Sequence, residues 1–157
     1  YYIKKINNNF YDISRNVKKN INNEKKFGLH KYSTYLKFAK KVKNSKKKLN
    51  DIVKKIKQNQ GNIIGYGATA KSCTVLNYCN INYKTIDFFY DTTSYKINKY
   101  LPGSKIQIRK YKKLDLKKNY YVFLGAWNFK DEIFKKERSF IKSGGKFITH
   151  IPHPKII

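Results

Sequence analysis

Apolar residues recur along the chain with two different spacings, one before residue 60 and one after it. In the first part they lie three and four residues apart, as in Ile13, Val17 and Ile21, which is the spacing of one helix face. In the second part short apolar runs alternate with polar, glycine-bearing turns, a pattern typical of buried strands joined by helices. The pattern predicts a helical arm at 7–59 and an α/β domain at 60–157.

Two helices are predicted in the arm. The first begins at a cap, either Asn9 or Asp12, and ends near Asn22 and Asn23. The second covers about 31–59, and its apolar residues form one stripe that favours packing against the protein's own core over lying on a membrane surface. The residues of this stripe are Tyr35, Phe38, Val42, Leu49, Ile52, Val53 and Ile56.

Strands and helices alternate after residue 60, which implies a mainly parallel sheet with right-handed crossovers. We therefore predict a Rossmann-like, doubly wound α/β fold with a helical N-terminal arm. A tail strand at 1–6 is expected to belong to a preceding domain. The other predicted strands are 62–66, 86–90, 105–108, 120–124 and 146–151, and the predicted helices of this part run through Cys79 and over about 130–142.

The composition supports a folded domain with an unusually large positive charge. Of the 157 residues 40% are hydrophobic and 16% aromatic, which excludes a disordered polybasic tail. Lys and Arg number 36 against 9 Asp and Glu, a net charge of +27, yet only 3 of the 36 are Arg, the residue favoured for bidentate recognition of phosphate and guanine. Because the charge is also spread over both halves of the chain, it indicates a bias in amino-acid composition and a solvated surface. A basic nucleic-acid-binding protein is kept only as a second alternative.

Several further features bear on location and completeness. No apolar run approaches the length of a membrane-spanning helix, and the first residues lack the apolar stretch of a signal peptide. Cys73 and Cys79 are spaced for neither a redox pair nor a zinc site, so we expect free thiols, no metal ligands and a cytoplasmic location. The chain has no Met and opens inside a predicted strand, and we therefore expect a fragment of a longer polypeptide.

A glycine-rich turn follows the first strand of the α/β domain. Gly65, Gly67 and Ala70 fit the GxGxxG/A form between a strand and a helix. The second glycine lets backbone amides, such as that of Ala68, approach an anion, and Lys71 adds a positive charge in the first helical turn. The turn therefore predicts an anion or nucleotide site.

Other candidates lie at the carboxyl ends of two more strands, where ligands bind in open α/β sheets. Asp91, which is 24 residues after Gly67, fits either an acid that bonds a ribose hydroxyl or a simple turn former. Trp127 either stacks on a base or sugar or covers the sheet edge, and Asn128 is equally a contact or a helix cap. Since no nucleophile, base and orienter occur together, we predict a binding site and no catalytic residue.

Four ordered segments resemble a known family. They are GYGATAKSCTVLNYC at 65–79, IDFFYDTTSYKINKYLPGSKIQI at 86–108, GAWNFKDEI at 125–133 and GGKFITHIPHPKII at 144–157. In this order they resemble the C-terminal domain of C-methyltransferases that depend on S-adenosyl-L-methionine (SAM) and act on nucleotide-linked deoxysugars. With the preceding helix, the resemblance covers 28–157.

The resemblance implies a three-part enzyme, in which a zinc-binding N-terminal domain and a central SAM domain precede this substrate-binding domain. Zinc and SAM are then expected only upstream, and this chain alone is expected to be inactive. Its expected partner is a small nucleotide-sugar, with no membrane span and no predicted oligomeric state; a nucleotide-binding module of another Rossmann enzyme is the first alternative. From the turn chemistry and the resemblance together, the candidate substrate-binding residues are Gly65, Gly67, Ala68, Ala70, Lys71, Asn77, Asp91, Tyr100, Pro102, Gly103, Trp127 and Asn128.

Overall fold

The computed structural model describes Ile3 and residues 5–7, 12–115 and 120–157. The chain divides into two compact units, the first ending at Val42 and the second comprising Lys43–Ile157. Three of the six residues of the predicted tail strand at 1–6 lie outside the described residues. The predicted arm boundary after residue 59 stays a prediction, although residues 43–59 group with the unit that contains the sheet.

The first unit contains helix α1, Arg15–Phe27, and the start of helix α2, Tyr32–Gln58. The predicted cap of α1 at Asp12 is wrong, because the Oγ of Ser14 accepts a hydrogen bond from the amide of Asn16 and so caps the helix. The other predicted cap, Asn9, lies outside the described residues.

The end of α1 also differs from the prediction. The helix continues through Asn22 and Asn23 and stops at Gly28, whose φ of +81° gives the left-handed ending that glycine adopts without strain. Amides at this ending donate to the carbonyls of Glu24 and Lys25 and so close the last turn.

The predicted core stripe of α2 is confirmed only in its C-terminal half. Leu49, Val53 and Ile56 are buried in the second unit, where full burial of such a side chain contributes about 1.5–3 kcal/mol. Tyr35 and Phe38, in the first unit, are exposed. Among the described residues no helix is both long and apolar enough to cross a membrane.

The second unit is built on one sheet of six described strands in the order β3-β2-β1-β4-β5-β6. The first five strands are parallel, and β6 pairs antiparallel with β5. This order is that of doubly wound dinucleotide-binding folds, so the predicted fold class is confirmed. The strands are β1 Asn62–Tyr66, β2 Phe89–Asp91, β3 Ile108–Lys110, β4 Tyr120–Leu124, β5 Lys146–Thr149 and β6 Lys155–Ile156, and the helices are α3 Ala70–Cys79, α4 Lys130–Lys136 and α5 Arg138–Lys142.

Four predicted elements need correction. Strand β5 ends at Thr149, two residues before the predicted end at 151. Strand β2 begins three residues late because Ile86 still belongs to a turn, in which its amide donates to Asn82 O. Strand β3 is shifted toward the C-terminus, since Lys105 has a φ of +55° that no strand residue adopts. The single helix predicted over 130–142 is broken at Glu137 into α4 and α5.

Each face of the sheet has its own buried cluster, because alternate strand residues point to opposite sides. On one face Ile63 and Phe89 pack with α2 and α3. On the other face Ile64 and Tyr66 pack with α4, α5 and the segment around Leu114. The order of strands reverses between β1 and β4, so the ends of these strands form the edge at which ligands bind in such folds.

Candidate functional site

The two glycines of the turn after β1 serve different structural purposes. A Cβ on Gly65 would lie 2.3 Å from the ring of Phe89, so this glycine permits close packing inside the sheet. Gly67 has a φ of +83°, and a Cβ there would lie 2.4 Å from the Cβ of Ala126. Gly67 is therefore the residue that lets the chain turn at the strand end, directly beside the loop after β4.

The amide that follows Gly67 is occupied by the protein's own carboxylate. Ala68 N donates to Asp91 Oδ2 at 2.8 Å, and Thr93 N donates to Asp91 Oδ1 at 2.8 Å. Lys96 Nζ lies 3.5 Å from Asp91 Oδ2 and donates to Ala68 O at 2.9 Å. Asp91 thus joins the ends of β1 and β2 in the position where an anionic ligand was expected.

The surroundings keep Asp91 ionised. Burial by itself would raise the pKa of this carboxyl group, but the hydrogen bonds from Thr93 and Ala68 and the nearby Lys96 ammonium outweigh it and hold the pKa below its usual value. Both oxygens of the carboxylate accept amide protons, and only 8% of the residue is exposed. Of the two interpretations of Asp91, the geometry therefore supports the structural one, a clamp within the turn.

Replacing Asp91 by asparagine is expected to lower the free energy of unfolding by about 2 kcal/mol, because one amide hydrogen bond to a charged acceptor is lost and an N–H then faces an N–H. Urea unfolding at neutral pH measures the difference. The matched control is Asp87→Asn, the same change at an exposed position. Equal, small effects of both variants would contradict the clamp.

Two amides at the start of α3 remain available. Thr69 and Ser72 form a reciprocal capping box, in which each side-chain oxygen accepts the other residue's amide proton. Ala70 and Lys71 are exposed residues, and their amides donate to no acceptor in the described part of the chain. Lys71 Nζ lies 5.0 Å from the centroid of the Trp127 ring, a cation–π arrangement. The structure therefore brings together two predicted site residues, Lys71 and Trp127, while Asn128 is exposed beside them.

A cleft of about 300 Å³ opens at the carboxyl edge of the sheet. Its described lining comes from the ends of β1 and β2, from the loop after β2, from Tyr111, and from Ala126 and α4. Of the predicted site residues, Gly67 and Asp91 line it. The cleft therefore lies where the fold predicts a ligand site, at the reversal of strand order.

Glu137, which sequence reasoning missed, lies buried behind this cleft with 2% of its surface exposed. Its Oε1 accepts hydrogen bonds from Tyr66 Oη at 3.1 Å and Tyr111 Oη at 2.6 Å. Burial, together with the Glu137 charge, raises the pKa of Tyr111 to about 12 and that of Tyr66 further, so both phenols keep their protons. A signal was present in the sequence, since Glu137 is four residues from both Ile133 and Ile141 and so lies on the apolar face of the helix predicted over 130–142.

The remaining predicted site residues are brought together elsewhere. Asn77 Nδ2 donates to Pro102 O at 3.0 Å, and a Cβ on Gly103 would lie 2.2 Å from Asn77 Oδ1. Tyr100 forms an isolated bridge with Gln107 and is exposed. None of these residues is among the described lining of the cleft, and their contacts fasten the loop before β3 to helix α3.

Cysteine and histidine residues form no metal centre in the described part of the chain, where no three His, Cys, Asp or Glu residues are grouped to hold an ion. Cys73 and Cys79 are free, and burial raises the pKa of both thiols.

Comparison with known proteins identifies the family. The model of a family described as the C-methyltransferase C-terminal domain matches residues 1–152. The chain belongs to this family. It is similar to C-methyltransferase NovU of Streptomyces niveus, with 32% identity over 134 residues that make up 85% of this chain. The matched region is 32% of NovU, so this C-methyltransferase domain spans about a third of the length of that relative. The resemblance inferred from the four sequence segments is thereby confirmed at the level of the family.

Proposed function

We propose that this chain is the nucleotide-sugar-binding domain of a SAM-dependent C-methyltransferase and that it acts in the cytoplasm. The main observation behind the proposal is that a chain of the C-methyltransferase C-terminal domain family has a cleft at the edge of its doubly wound sheet where ligands bind in such folds. The similarity to NovU supports the C-methyltransferase context. The methyl transfer itself is assigned to the remainder of a longer enzyme, so the chain alone is expected to be inactive.

The glycine turn does not fit SAM bound in the usual manner of a Rossmann fold. That manner uses the acid at the end of the second strand to bond a ribose, but both oxygens of Asp91 are engaged by backbone amides. We therefore assign SAM to another domain. Zinc is likewise assigned upstream.

For the nucleotide we assign the surface formed by the start of α3 and Trp127. The two available amides, of Ala70 and Lys71, lie at the positive end of the helix dipole and beside the Lys71 ammonium, which together favour a diphosphate. The ring of Trp127 offers an aromatic surface for the base. The expected role of Ala68 is taken over by these amides, because its own amide binds Asp91.

Thymidine diphosphate is expected to change the fluorescence of Trp127, the only tryptophan of the chain, in a saturable titration. Lys71→Ala is expected to weaken this binding about tenfold, since a charge-assisted hydrogen bond contributes about 1.5 kcal/mol. The matched control is Lys84→Ala, which removes the same charge from an exposed position elsewhere and should leave the affinity unchanged. If both variants weaken binding equally, the diphosphate senses only the net charge of the chain.

A further inference from the structure

The cleft at the sheet edge differs in charge from the rest of the molecule. The chain has a net charge of +27 with only 9 acidic residues, yet two of these acids, Asp91 and Glu132, are among the described residues that line the cleft. They balance the two lysines found there, Lys96 and Lys136, and a third acid, Glu137, lies directly behind. An anion site in so basic a chain has no need of acidic residues, so this lining does not suit a phosphate.

Both lysines of the cleft already have partners. Lys96 Nζ donates to Ala68 O and lies beside Asp91. Lys136 Nζ lies 3.6 Å from the centroid of the Tyr111 ring, over its electron-rich face. A ligand phosphate would have to compete with these contacts, whereas a neutral ligand leaves them in place.

The cleft offers hydrogen-bond acceptors beside the hydroxyl groups of Tyr90, Thr92 and Thr93, which can both donate and accept. The phenol protons of Tyr66 and Tyr111 are committed to Glu137 Oε1, so the two phenol oxygens offer a ligand only their lone pairs. The carboxylate of Glu132 is an acceptor as well, whereas both oxygens of Asp91 are already engaged. Phosphate oxygens only accept hydrogen bonds, but the hydroxyl groups of a ligand both donate and accept, so a lining of this kind matches hydroxyl groups.

Aromatic rings supply the apolar part of the cleft. The ring centroids of Tyr90 and Tyr111 are 6.2 Å apart and those of Tyr66 and Tyr111 5.5 Å apart, in edge-to-face arrangements. Phe129, which also lines the cleft, is 55% exposed. A sugar ring has apolar C–H faces and hydroxyl groups around its rim, so it complements aromatic surface beside hydrogen-bond acceptors.

We infer that this cleft holds the neutral, polyhydroxylated ring of the substrate, while the diphosphate lies outside it at the start of α3. The link of that ring to a nucleotide rests on the proposed function. Thr69 lines the cleft and is two residues before Lys71, so the two sites adjoin each other along the turn.

The test compares three probes, thymidine diphosphate, thymidine-diphosphate glucose and free glucose, by their effects on the backbone amide signals of labelled protein in NMR titrations. The sugar nucleotide is expected to bind more tightly than thymidine diphosphate and to shift cleft amides, such as those of Thr92 and Thr93, that thymidine diphosphate leaves unmoved. Tyr111→Phe keeps the ring but removes the phenol oxygen together with its hydrogen bond to Glu137, and it is expected to weaken binding of the sugar nucleotide about fivefold and to leave binding of thymidine diphosphate unaffected. Tyr83→Phe, at an exposed tyrosine outside the lining, is the control.

The outcomes separate this inference from the proposed function. If both nucleotides bind with equal affinity and neither moves the cleft amides, the inference is wrong and the proposed function stands. If neither nucleotide binds but free glucose at high millimolar concentration shifts the cleft amides, the inference stands and the nucleotide assignment fails. If none of the three probes shifts those amides, the inference is overturned.

Discussion

Gly67→Ala is expected to lower the free energy of unfolding by about 3 kcal/mol. The first contribution is the φ of +83°, which costs an L-residue with a side chain roughly 1–2 kcal/mol. The second is steric, because the new methyl group would lie 2.4 Å from the Cβ of Ala126 and force the turn and the loop after β4 apart. Urea unfolding followed by circular dichroism measures the loss.

Two controls separate these contributions. Gly144 has a φ of +90°, but apart from its chain neighbours no atom of the described residues lies within 4 Å of the position of its Cβ, so Gly144→Ala should show the backbone cost alone. Adding Ala126→Gly to Gly67→Ala should recover the steric part, visible as a favourable coupling energy in a double-mutant cycle. Equal losses in Gly67→Ala and Gly144→Ala, with no coupling to Ala126, would show that the turn is not packed as described.

Acidification is expected to destabilise the fold through His150. This side chain is 3% exposed, neither ring nitrogen has a hydrogen-bond partner in the described part of the chain, and the ring stacks on Phe123 with an interplanar angle of 5°. Burial lowers the pKa of His150 to about 4, from an ordinary value of 6.5. The unfolded chain therefore binds the proton first, and stability that is complete above pH 6.5 is lost as the pH falls toward 4.

The expected loss from this histidine is about 2 kcal/mol at pH 5 and about 3 kcal/mol at pH 4. The measurement is the free energy of unfolding in urea between pH 7.5 and 4, compared between the unmodified chain and His150→Phe. The variant keeps a ring against Phe123 but cannot be protonated, so it should lose less stability than the unmodified chain, by the amounts given. Parallel pH profiles for the two proteins would mean that His150 is not buried in its neutral form.

The sequence predicted elements well where the deciding signals are local. The strand, turn and helix at 62–79 follow from neighbouring residues: an apolar run, two glycines, and Thr69 placed to cap. Strand β6 was missed because two residues have no periodicity, and their strand character comes from pairing with β5. The order of the strands was not predicted, because it depends on contacts between segments that are distant in the sequence.

The sequence predicted the location of the candidate site better than the roles of its residues. Gly67 and Asp91 do meet at the carboxyl edge of the sheet, as their positions after parallel strands implied. That Asp91 holds the turn together depends on a 2.8 Å contact with Ala68, which no spacing rule specifies. Glu137 was overlooked because an acid in a charged helix resembles a surface residue, and only the apolar residues four positions away on either side distinguish it.

The clamp formed by Asp91 affects how the domain binds ligands. A loop that waits for a phosphate to order it spends part of the binding free energy on losing its own freedom of movement. Here the Asp91 carboxylate orders the turn when the protein folds. The turn, the end of β2 and the wall of the cleft are therefore already rigid before the substrate binds. The binding site of this domain should therefore be preformed, and its backbone should change little when the substrate binds.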